Sequence, residues 1–168
     1  EVVNYSFINP TEWDKLLLPS ESAYRNTVKI SNPLTEEQSI MRTTLLPGLL
    51  KNASYNQSRR ITNLKLAEIG AVFLPSGKEL PDEKMHLGVL AMGEEEQNWL
   101  TNKAAYDYFY LKGILEKIAK SFGIENWQVV VADDIPFLHP GKSAKIMING
   151  QMIGFIGELH PNVLKNYG

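Results

Sequence analysis

The dipeptide Asn149-Gly150 lies between two apolar runs, residues 144–148 and 151–156. Both of its residues readily adopt the positive φ angles that a type I′ turn requires, and the twist of this turn matches that of two paired strands. The segment is therefore predicted to be a β-hairpin. This prediction constrains the fold strongly, because strands that are joined by so short a turn must run antiparallel.

The rest of the chain alternates irregularly between strand-like and helix-like segments. Apolar and β-branched stretches predict strands at residues 1–8, 27–30, 64–73, 86–92 and 127–132. Capping residues and apolar spacing of three to four residues predict helices at residues 11–17, 35–41, 47–57, 105–122 and 162–166. Residues 87–92 are mostly apolar, so this strand is expected to be buried on both faces. The order of elements predicts an α+β fold, in which helices pack on an antiparallel sheet.

Composition sets limits on the class of protein. No long polar segment divides the chain, so residues 1–168 are predicted to form a single domain. The chain begins with Glu1 and is strand-like at once, which we interpret as a fragment of a larger protein. It has no cysteine, which excludes disulfides and thiolate metal sites and fits a cytoplasmic protein. No apolar run approaches the roughly 20 residues that cross a bilayer, so no membrane interaction is predicted.

The charge balance does not favour tight binding of nucleic acid. Seventeen basic residues stand against nineteen acidic ones, for a formal net charge of −2. Proteins that grip a phosphate backbone usually carry a clustered positive face. Only Arg59-Arg60 forms a local basic cluster here.

Several candidate chemical sites lack the pattern that their chemistry needs. The three histidines have no close ligand spacing, so no metal site is predicted, and the two Leu-His-Pro sequences at His139 and His160 are interpreted as bends in which imidazole bonds to the backbone. Gly141-Lys142-Ser143 lacks the earlier glycine of a phosphate-binding loop. The pair Asp133-Asp134 is more typical of a solvated loop than of an acid–base pair.

Two further groups keep alternative interpretations. The aromatic residues Tyr106, Tyr108, Phe109 and Tyr110 could stack on RNA bases, but their helical spacing favours a place in the core and at its rim. Arg42 is either a structural partner of a carboxylate or a ligand contact, and the first alternative is favoured.

Residues 64–73 read LKLAEIGAVF and resemble the central strand of class II aminoacyl-tRNA synthetases. In those enzymes a similar sequence motif is followed by an arginine that binds the α-phosphate of ATP, and then by an acidic residue. Here the phrase leads to Leu74, Pro75 and Ser76. The strand motif is therefore present, but the phosphate-binding arginine is not. This indicates a synthetase-like domain with no catalytic residues of its own.

The chain as a whole is similar to the catalytic-like core of the β subunits of bacterial phenylalanine–tRNA ligases. The phrases that carry the resemblance are EVVNYSF (residues 1–7), NPLTEEQS (32–39), MRTTLLPGLL (41–50), EIG (68–70), FLHPGKSA (137–144) and IGFIGELHP (153–161). Within them we expect a set of signature residues to be structural rather than catalytic: Asn32, Pro33, Arg42, Pro47, Glu68, Gly70, His139, Pro140, Gly141, Gly157, Glu158, His160 and Pro161.

The resemblance implies a class II synthetase-like antiparallel sheet flanked by helices, and a role as structural partner of a catalytic α subunit. It implies that the α subunit binds ATP and phenylalanine, that ATP and Mg²⁺ serve the whole enzyme and not this domain, and that two αβ pairs form a tetramer. The alternative is a tRNA-contacting module of the same enzyme, based on Arg59-Arg60 and the aromatic residues near Tyr106. A third hypothesis, an independent adenylating enzyme, has little support.

Overall fold

The computed structural model describes residues 1–78, 80–95, 99 and 104–168. Within these residues the strands are β1 (Phe7–Ile8), β2 (Ile40–Met41), β3 (Leu64–Leu74), β4 (Asp82–Met92), β5 (Trp127–Val131), β6 (Leu138–Ile148) and β7 (Gln151–Leu159). The α-helices are α1 (Glu12–Lys15), α2 (Leu46–Ser58), α3 (Tyr108–Ser121) and α4 (Pro161–Tyr167), and 3-10 helices lie at Ala23–Arg25 and Glu36–Gln38. The strands form the sheets β1-β2, β3-β4 and β5-β6-β7, all antiparallel, which confirms the predicted α+β class.

The residue contacts divide the chain into two compact units. The first comprises Glu1–Met92 with Asn166–Gly168, and the second comprises Gly93–Lys165. The assignment of residues 1–168 to a single domain stays a prediction. Among the described residues, no helix combines the length and the apolar character that crossing a membrane requires.

The core of the first unit lies where α2 packs on the β3-β4 ladder. Leu49 and Leu50 of α2 and Val72 of β3 are buried there. α2 also approaches Gly88 of β4, where an added Cβ would lie 2.7 Å from Cδ1 of Leu49. A larger residue at this position would require the Leu49 side chain to move.

The two faces of the β3-β4 ladder have different environments. Ile69 is paired with Leu87 and Gly70 with His86, so alternate residues face α2 while their neighbours face away from it. The prediction that residues 87–92 are buried on both faces is wrong, since Leu87 is 51% exposed. The reason is that α2 covers only one face of this two-stranded ladder.

The second unit contains the predicted hairpin. β6 and β7 pair around Asn149 and Gly150, whose φ angles of 49° and 79° are both positive, as a type I′ turn requires. The hairpin prediction is therefore confirmed, and β5 adds to the free side of β6.

The long helix of the second unit is shorter than predicted. α3 begins at Tyr108 rather than at residue 105, because the Asp107 carboxylate accepts a hydrogen bond from the Tyr110 amide at 2.9 Å and caps the helix. Gly123 follows the helix with φ 66°, as predicted. Phe109 and Phe122 are exposed, so the interpretation of these aromatic residues as core is wrong for Phe109, while Tyr106, Tyr108 and Tyr110 are only partly buried.

The first forty residues contain less regular structure than predicted. Of residues 1–8 only Phe7–Ile8 form a strand, residues 27–30 supply one bridge from Lys29 to Ile40, and α1 covers four residues. The helix predicted for residues 35–41 is also wrong. Glu36–Gln38 form a single 3-10 turn, because Ile40 and Met41 are held extended by pairing with Phe7 and Ile8. Tertiary pairing here overrides the local capping signal.

Candidate functional site

Arg42 and Glu68 form a buried ion pair at the centre of the first unit. The Arg42 side chain is 6% exposed and that of Glu68 1%, and Nη1 donates to Oε1 of Glu68 at 2.7 Å. Nε of Arg42 donates to the carbonyl of Ala71 at 2.9 Å. This is the first of the two alternatives for Arg42, a structural partner of a carboxylate, and it commits the guanidinium to groups inside the protein.

Asn4 completes this cluster from the opposite side. Its side-chain amide donates to Oε2 of Glu68 at 2.7 Å, and its Oδ1 accepts a hydrogen bond from Asn52 of α2 at 3.0 Å. Both oxygens of the buried carboxylate therefore have partners, as a buried charge requires. The sequence phrases that contain Asn4, Arg42 and Glu68 thus meet in one polar cluster.

Gly70 makes room for this cluster. A Cβ at this position would collide with Nη2 of Arg42 and would lie 3.2 Å from Oε1 of Glu68. Gly48 has a similar place, because its Cβ would lie 2.9 Å from the side chain of Asn4. Both positions lack a side chain where Arg42, Glu68 and Asn4 occupy the space.

A second buried carboxylate, Glu12, lies beside a cavity of about 400 Å³ in the first unit. Glu12 is 2% exposed, and its Oε1 contacts Nζ of Lys15 at 3.0 Å and Nζ of Lys51 at 3.2 Å. Its Oε2 accepts a hydrogen bond from the hydroxyl of Tyr167 at 2.8 Å. Burial acts to raise the pKa of the Glu12 carboxyl, but the hydrogen bonds from Tyr167 and Lys15 and the charge of Lys51 outweigh it, so the pKa lies below its ordinary value of 4.5. Burial and the bond to Glu12 raise the pKa of Tyr167.

This arrangement predicts a stability that depends on pH. Since the pKa of Glu12 is lower in the folded protein than in the unfolded chain, its ionised form stabilises the fold above the unfolded pKa, and this stabilisation is lost as the pH falls through the folded pKa. We expect the free energy of unfolding of Glu12→Gln to be lower than that of the unchanged protein at about pH 6, and the difference to shrink as the pH falls below 4.5. Urea unfolding across this pH range measures the difference. An unchanged difference across the range would contradict it, and Glu125→Gln, at an exposed position, is the control.

The signature residues of the second unit lie at the ends of β6 and β7. Nδ1 of His139 accepts a hydrogen bond from the amide of Gly141 at 3.1 Å, and Nδ1 of His160 accepts one from the amide of Asn162 at 3.1 Å. Each imidazole thus bonds to the backbone two residues later, as predicted. His160 lies between β7 and α4, but His139 and Pro140 lie within β6, so the prediction of a bend is wrong at His139.

Gly157 and Glu158 of β7 contact the irregular part of β6. A Cβ on Gly157 would lie 2.8 Å from the carbonyl oxygen of Lys142, at a shift in the strand register between Leu138 and Ser143. Glu158 forms an ion pair with Lys142 at 2.7 Å. The register shift therefore depends on a glycine that lets the two strands approach.

The other signature residues lie apart from these clusters. Asn32 and Pro33 are exposed in a bend, Pro47 is buried in the first turn of α2, Pro140 is exposed within β6, and Pro161 begins α4. Their role as structural residues stays a prediction.

The candidate chemical groups of the sequence are not brought together. Asp133 and Asp134 are exposed, and Lys145 contacts Asp134 at 2.5 Å, which lowers the pKa of that carboxyl. Across the described ranges, no three histidine, aspartate or glutamate side chains are close enough together to hold a metal ion. At the end of β3, the hydroxyl of Ser76 donates to the carbonyl of Leu80 at 2.7 Å.

One surface was missed by the sequence analysis: the face of the β3-β4 ladder that points away from α2. It carries apolar side chains in direct cross-strand pairs, Ile69 opposite Leu87 and Ala71 opposite Met85, with Ala67 opposite Val89 beside them. Ile69 is 63% and Met85 67% exposed. We call these six residues the apolar ladder face. In the sequence, both alternating sets of residues in β3 and β4 are largely apolar, and this pattern does not distinguish an exposed face from a covered one.

The comparisons with known proteins agree on one family. The model of the phenylalanyl-tRNA synthetase beta chain CLM domain matches residues 1–168. The phenylalanine–tRNA ligase beta subunit of Carboxydothermus hydrogenoformans is 46% identical over 99% of this chain, and that of Geobacter metallireducens is 42% identical over 100%. The chain spans about a fifth of the length of these relatives, 21% in each case.

A solved structure shares the fold at low sequence identity. The pyrrolysyl-tRNA synthetase of Desulfitobacterium hafniense aligns with 99% of this chain and 55% of its own, with a TM-score of 0.70 and 13% identity. At this identity the likeness concerns the fold alone.

Proposed function

Since the chain belongs to the family of phenylalanyl-tRNA synthetase beta chains, we propose that it is a non-catalytic interaction domain of such a subunit. In this proposal it supports the ATP-dependent attachment of phenylalanine to tRNA by an α subunit in the cytoplasm. ATP and Mg²⁺ bind to the α subunit, and two αβ pairs form the enzyme. The three antiparallel sheets are parts of a class II synthetase fold, a proposal that rests on the phrase at residues 64–73 and on the likeness to the pyrrolysyl enzyme.

The apolar ladder face carries this proposal. Soluble monomers rarely expose large contiguous apolar patches, and such patches usually mark a protein interface. Here the exposed pairs Ile69–Leu87 and Ala71–Met85 are adjacent on one rigid ladder. The name of the relatives, beta subunit, implies another subunit, and we assign the face to contact with that α subunit.

The end of β3 supports a role without catalysis. Leu74 is the last residue of the strand, and Ser76 uses its hydroxyl within the following turn. Neither side chain can neutralise charge on a phosphate, which is the main contribution that a protein makes to such a reaction.

A charge on the apolar ladder face is expected to weaken subunit association. Leu87→Asp in the complete β subunit, expressed together with the α subunit, places a carboxylate where the partner would exclude water, and burial of an unpaired charge is costly. We expect the amount of α subunit that co-purifies to fall at least tenfold. Ile153→Asp is the matched control, because Ile153 of β7 is exposed to a similar extent, 58% against 51%.

Three outcomes are distinguishable in this experiment. The proposal is supported if the α subunit no longer co-purifies with the Leu87→Asp variant but still co-purifies with Ile153→Asp. Equal retention of the α subunit in both variants contradicts it. If the α subunit is retained but limited proteolysis now cleaves another part of the β subunit, the face is covered by the β chain itself, and the assignment to the α subunit is wrong.

A further inference from the structure

The turn between β6 and β7 presents an asparagine that is followed by glycine. Asn149-Gly150 is the only Asn-Gly pair in the sequence. Both residues are exposed at the tip of the hairpin, and Ile148 and Gln151 on either side of them form the last pair of the ladder. A Cβ at Gly150 would have no other part of the described chain within 4 Å. The pair is therefore accessible to water and is not crowded by other elements.

The two groups that react in an Asn-Gly pair have no hydrogen-bond partner in this turn. Among the described residues, the backbone amide of Gly150 donates to no acceptor, and the side-chain amide of Asn149 contacts no polar group. Asn56 and Asn166 differ, since their side-chain amides donate to backbone carbonyls at 2.8 and 2.9 Å. At position 149 the nucleophilic nitrogen and the carbon that it attacks are thus available without the loss of a hydrogen bond.

We propose that Asn149 is a site of spontaneous deamidation, which yields aspartate and isoaspartate at this position. The backbone nitrogen of Gly150 gives up its proton and attacks Cγ of Asn149, and the side-chain nitrogen leaves as ammonia. A five-membered succinimide ring results. Water then opens the ring at Cγ to give aspartate, or at the backbone carbonyl carbon to give isoaspartate, in which the main chain runs through the former side chain. One water is consumed and one ammonia is released, without oxidation or reduction.

Glycine at position 150 makes the first step of this reaction favourable. Glycine has no Cβ beside the attacking nitrogen, and its backbone freedom lets the ring close. Asn126-Trp127 provides an internal comparison. Asn126 is also exposed, but the nitrogen that would attack its side chain belongs to a residue with a bulky indole. The two sites thus share access to water and differ in the residue that follows the asparagine.

The two products have different effects on the hairpin. Asp-Gly favours a type I′ turn as Asn-Gly does, so aspartate preserves the pairing of β6 with β7. Isoaspartate adds a methylene group to the main chain of a two-residue loop, and the length of such a loop fixes the register of its strands. The pairs Ile148–Gln151 and Met147–Met152 lie next to the turn and lose their alignment first. Since β7 also contacts α3, the isoaspartyl form loosens the second unit. The inference goes beyond the proposed function and does not rest on it, because the reaction requires only the turn and water.

Ageing of the purified enzyme tests the proposal. The complete β subunit, assembled with the α subunit, is incubated in mildly alkaline buffer, which favours loss of the amide proton, and is then digested with trypsin. Cleavage after Lys142 and Lys145 places Asn126 and Asn149 on different peptides, and fragment ions separate Asn149 from Asn162. Mass spectrometry measures deamidation, and a protein-isoaspartate methyltransferase with labelled S-adenosylmethionine measures isoaspartate. An unincubated sample corrects for deamidation during digestion. We expect deamidation at Asn149 to exceed that at Asn126 at least about tenfold.

The variant Asn149→Gly separates this modification from other effects of ageing. Gly-Gly also adopts a type I′ turn, so the variant keeps the hairpin without the reactive side chain. We expect chymotrypsin to cleave within residues 144–156 at least about threefold faster after ageing of the unchanged enzyme, and at a constant rate in the variant. Equal acceleration in both would contradict the loosening of the hairpin.

Three further results would overturn the proposal. The first is that Asn149 stays intact in the assembled enzyme while a synthetic peptide of residues 144–156 deamidates, because the folded turn would then prevent the reaction. The second is that aspartate forms without isoaspartate. The third is that Asn126 and Asn149 deamidate to the same extent, since the glycine would then have no effect on the reaction.

Discussion

Replacing Arg42 with methionine is expected to lower the free energy of unfolding by about 3–5 kcal/mol, because it leaves the carboxylate of Glu68 buried without its cation. Glu68 is 1% exposed and has no access to water that could replace the lost bond. Urea unfolding at neutral pH measures the difference. Lys112→Met is the control: it removes a solvent-accessible pair with Glu116 one helical turn away, which should change stability by no more than about 0.5 kcal/mol. A loss below about 1 kcal/mol for Arg42→Met would contradict the expected cost of an unpaired buried charge.

The double variant Arg42→Met with Glu68→Leu separates the unpaired charge from the other contacts. If the loss of stability in Arg42→Met comes from the unpaired carboxylate, removing both charges should destabilise the protein less than the sum of the two single substitutions. The coupling energy between the two residues would then have the sign of a favourable pair. If the two changes in stability were strictly additive, the two side chains would act independently. That result would contradict the 2.7 Å hydrogen bond from Nη1 of Arg42 to Oε1 of Glu68.

Gly70→Ala is expected to destabilise the protein by about 1–3 kcal/mol, although alanine is ordinarily the better residue in a strand. The added methyl group would meet Nη2 of Arg42 and lie 3.3 Å from Cδ2 of Leu45. The guanidinium cannot retreat without losing its bonds to Glu68 and to the carbonyl of Ala71. Gly154→Ala in β7 is the matched control, since its nearest neighbour would be Cδ1 of Ile146 at 3.7 Å, an ordinary contact.

We expect thermal unfolding to distinguish the two glycine variants by their changes in melting temperature. Gly154→Ala should leave the melting temperature unchanged or raise it, because alanine reduces the conformational freedom of the unfolded chain. Gly70→Ala should lower it. Equal shifts in both variants would mean that the space beside Arg42 is not what restricts position 70.

The sequence predicted those elements whose determinants are local. Asn149-Gly150 specified its turn through backbone preferences alone, and Gly123 marked the end of α3 in the same way. The prediction for residues 35–41 was wrong because a capping signal at Thr35 was outweighed by strand pairing with Phe7 and Ile8, more than thirty residues away. Local preferences are weak compared with such pairing.

The sites were harder to predict because their parts are distant in the sequence. Arg42, Glu68 and Gly70 were selected as signature residues from phrases, but Asn4 was not, and its bond to Glu68 spans 64 positions. The exposure of Leu87 was missed because an apolar strand looks the same whether one face or both are covered. Only the position of α2 on one side of the ladder decides between these cases.

The bond between Glu12 and Tyr167 has a consequence for the order of folding. It joins positions 155 residues apart, and the last three residues, Asn166–Gly168, belong to the first unit although the whole second unit precedes them. Closing so long a segment costs more conformational entropy than closing a hairpin, so we expect the hairpins of neighbouring strands to form earlier and this contact to form late. Until then the carboxylate of Glu12 has only the ammonium groups of Lys15 and Lys51 as partners.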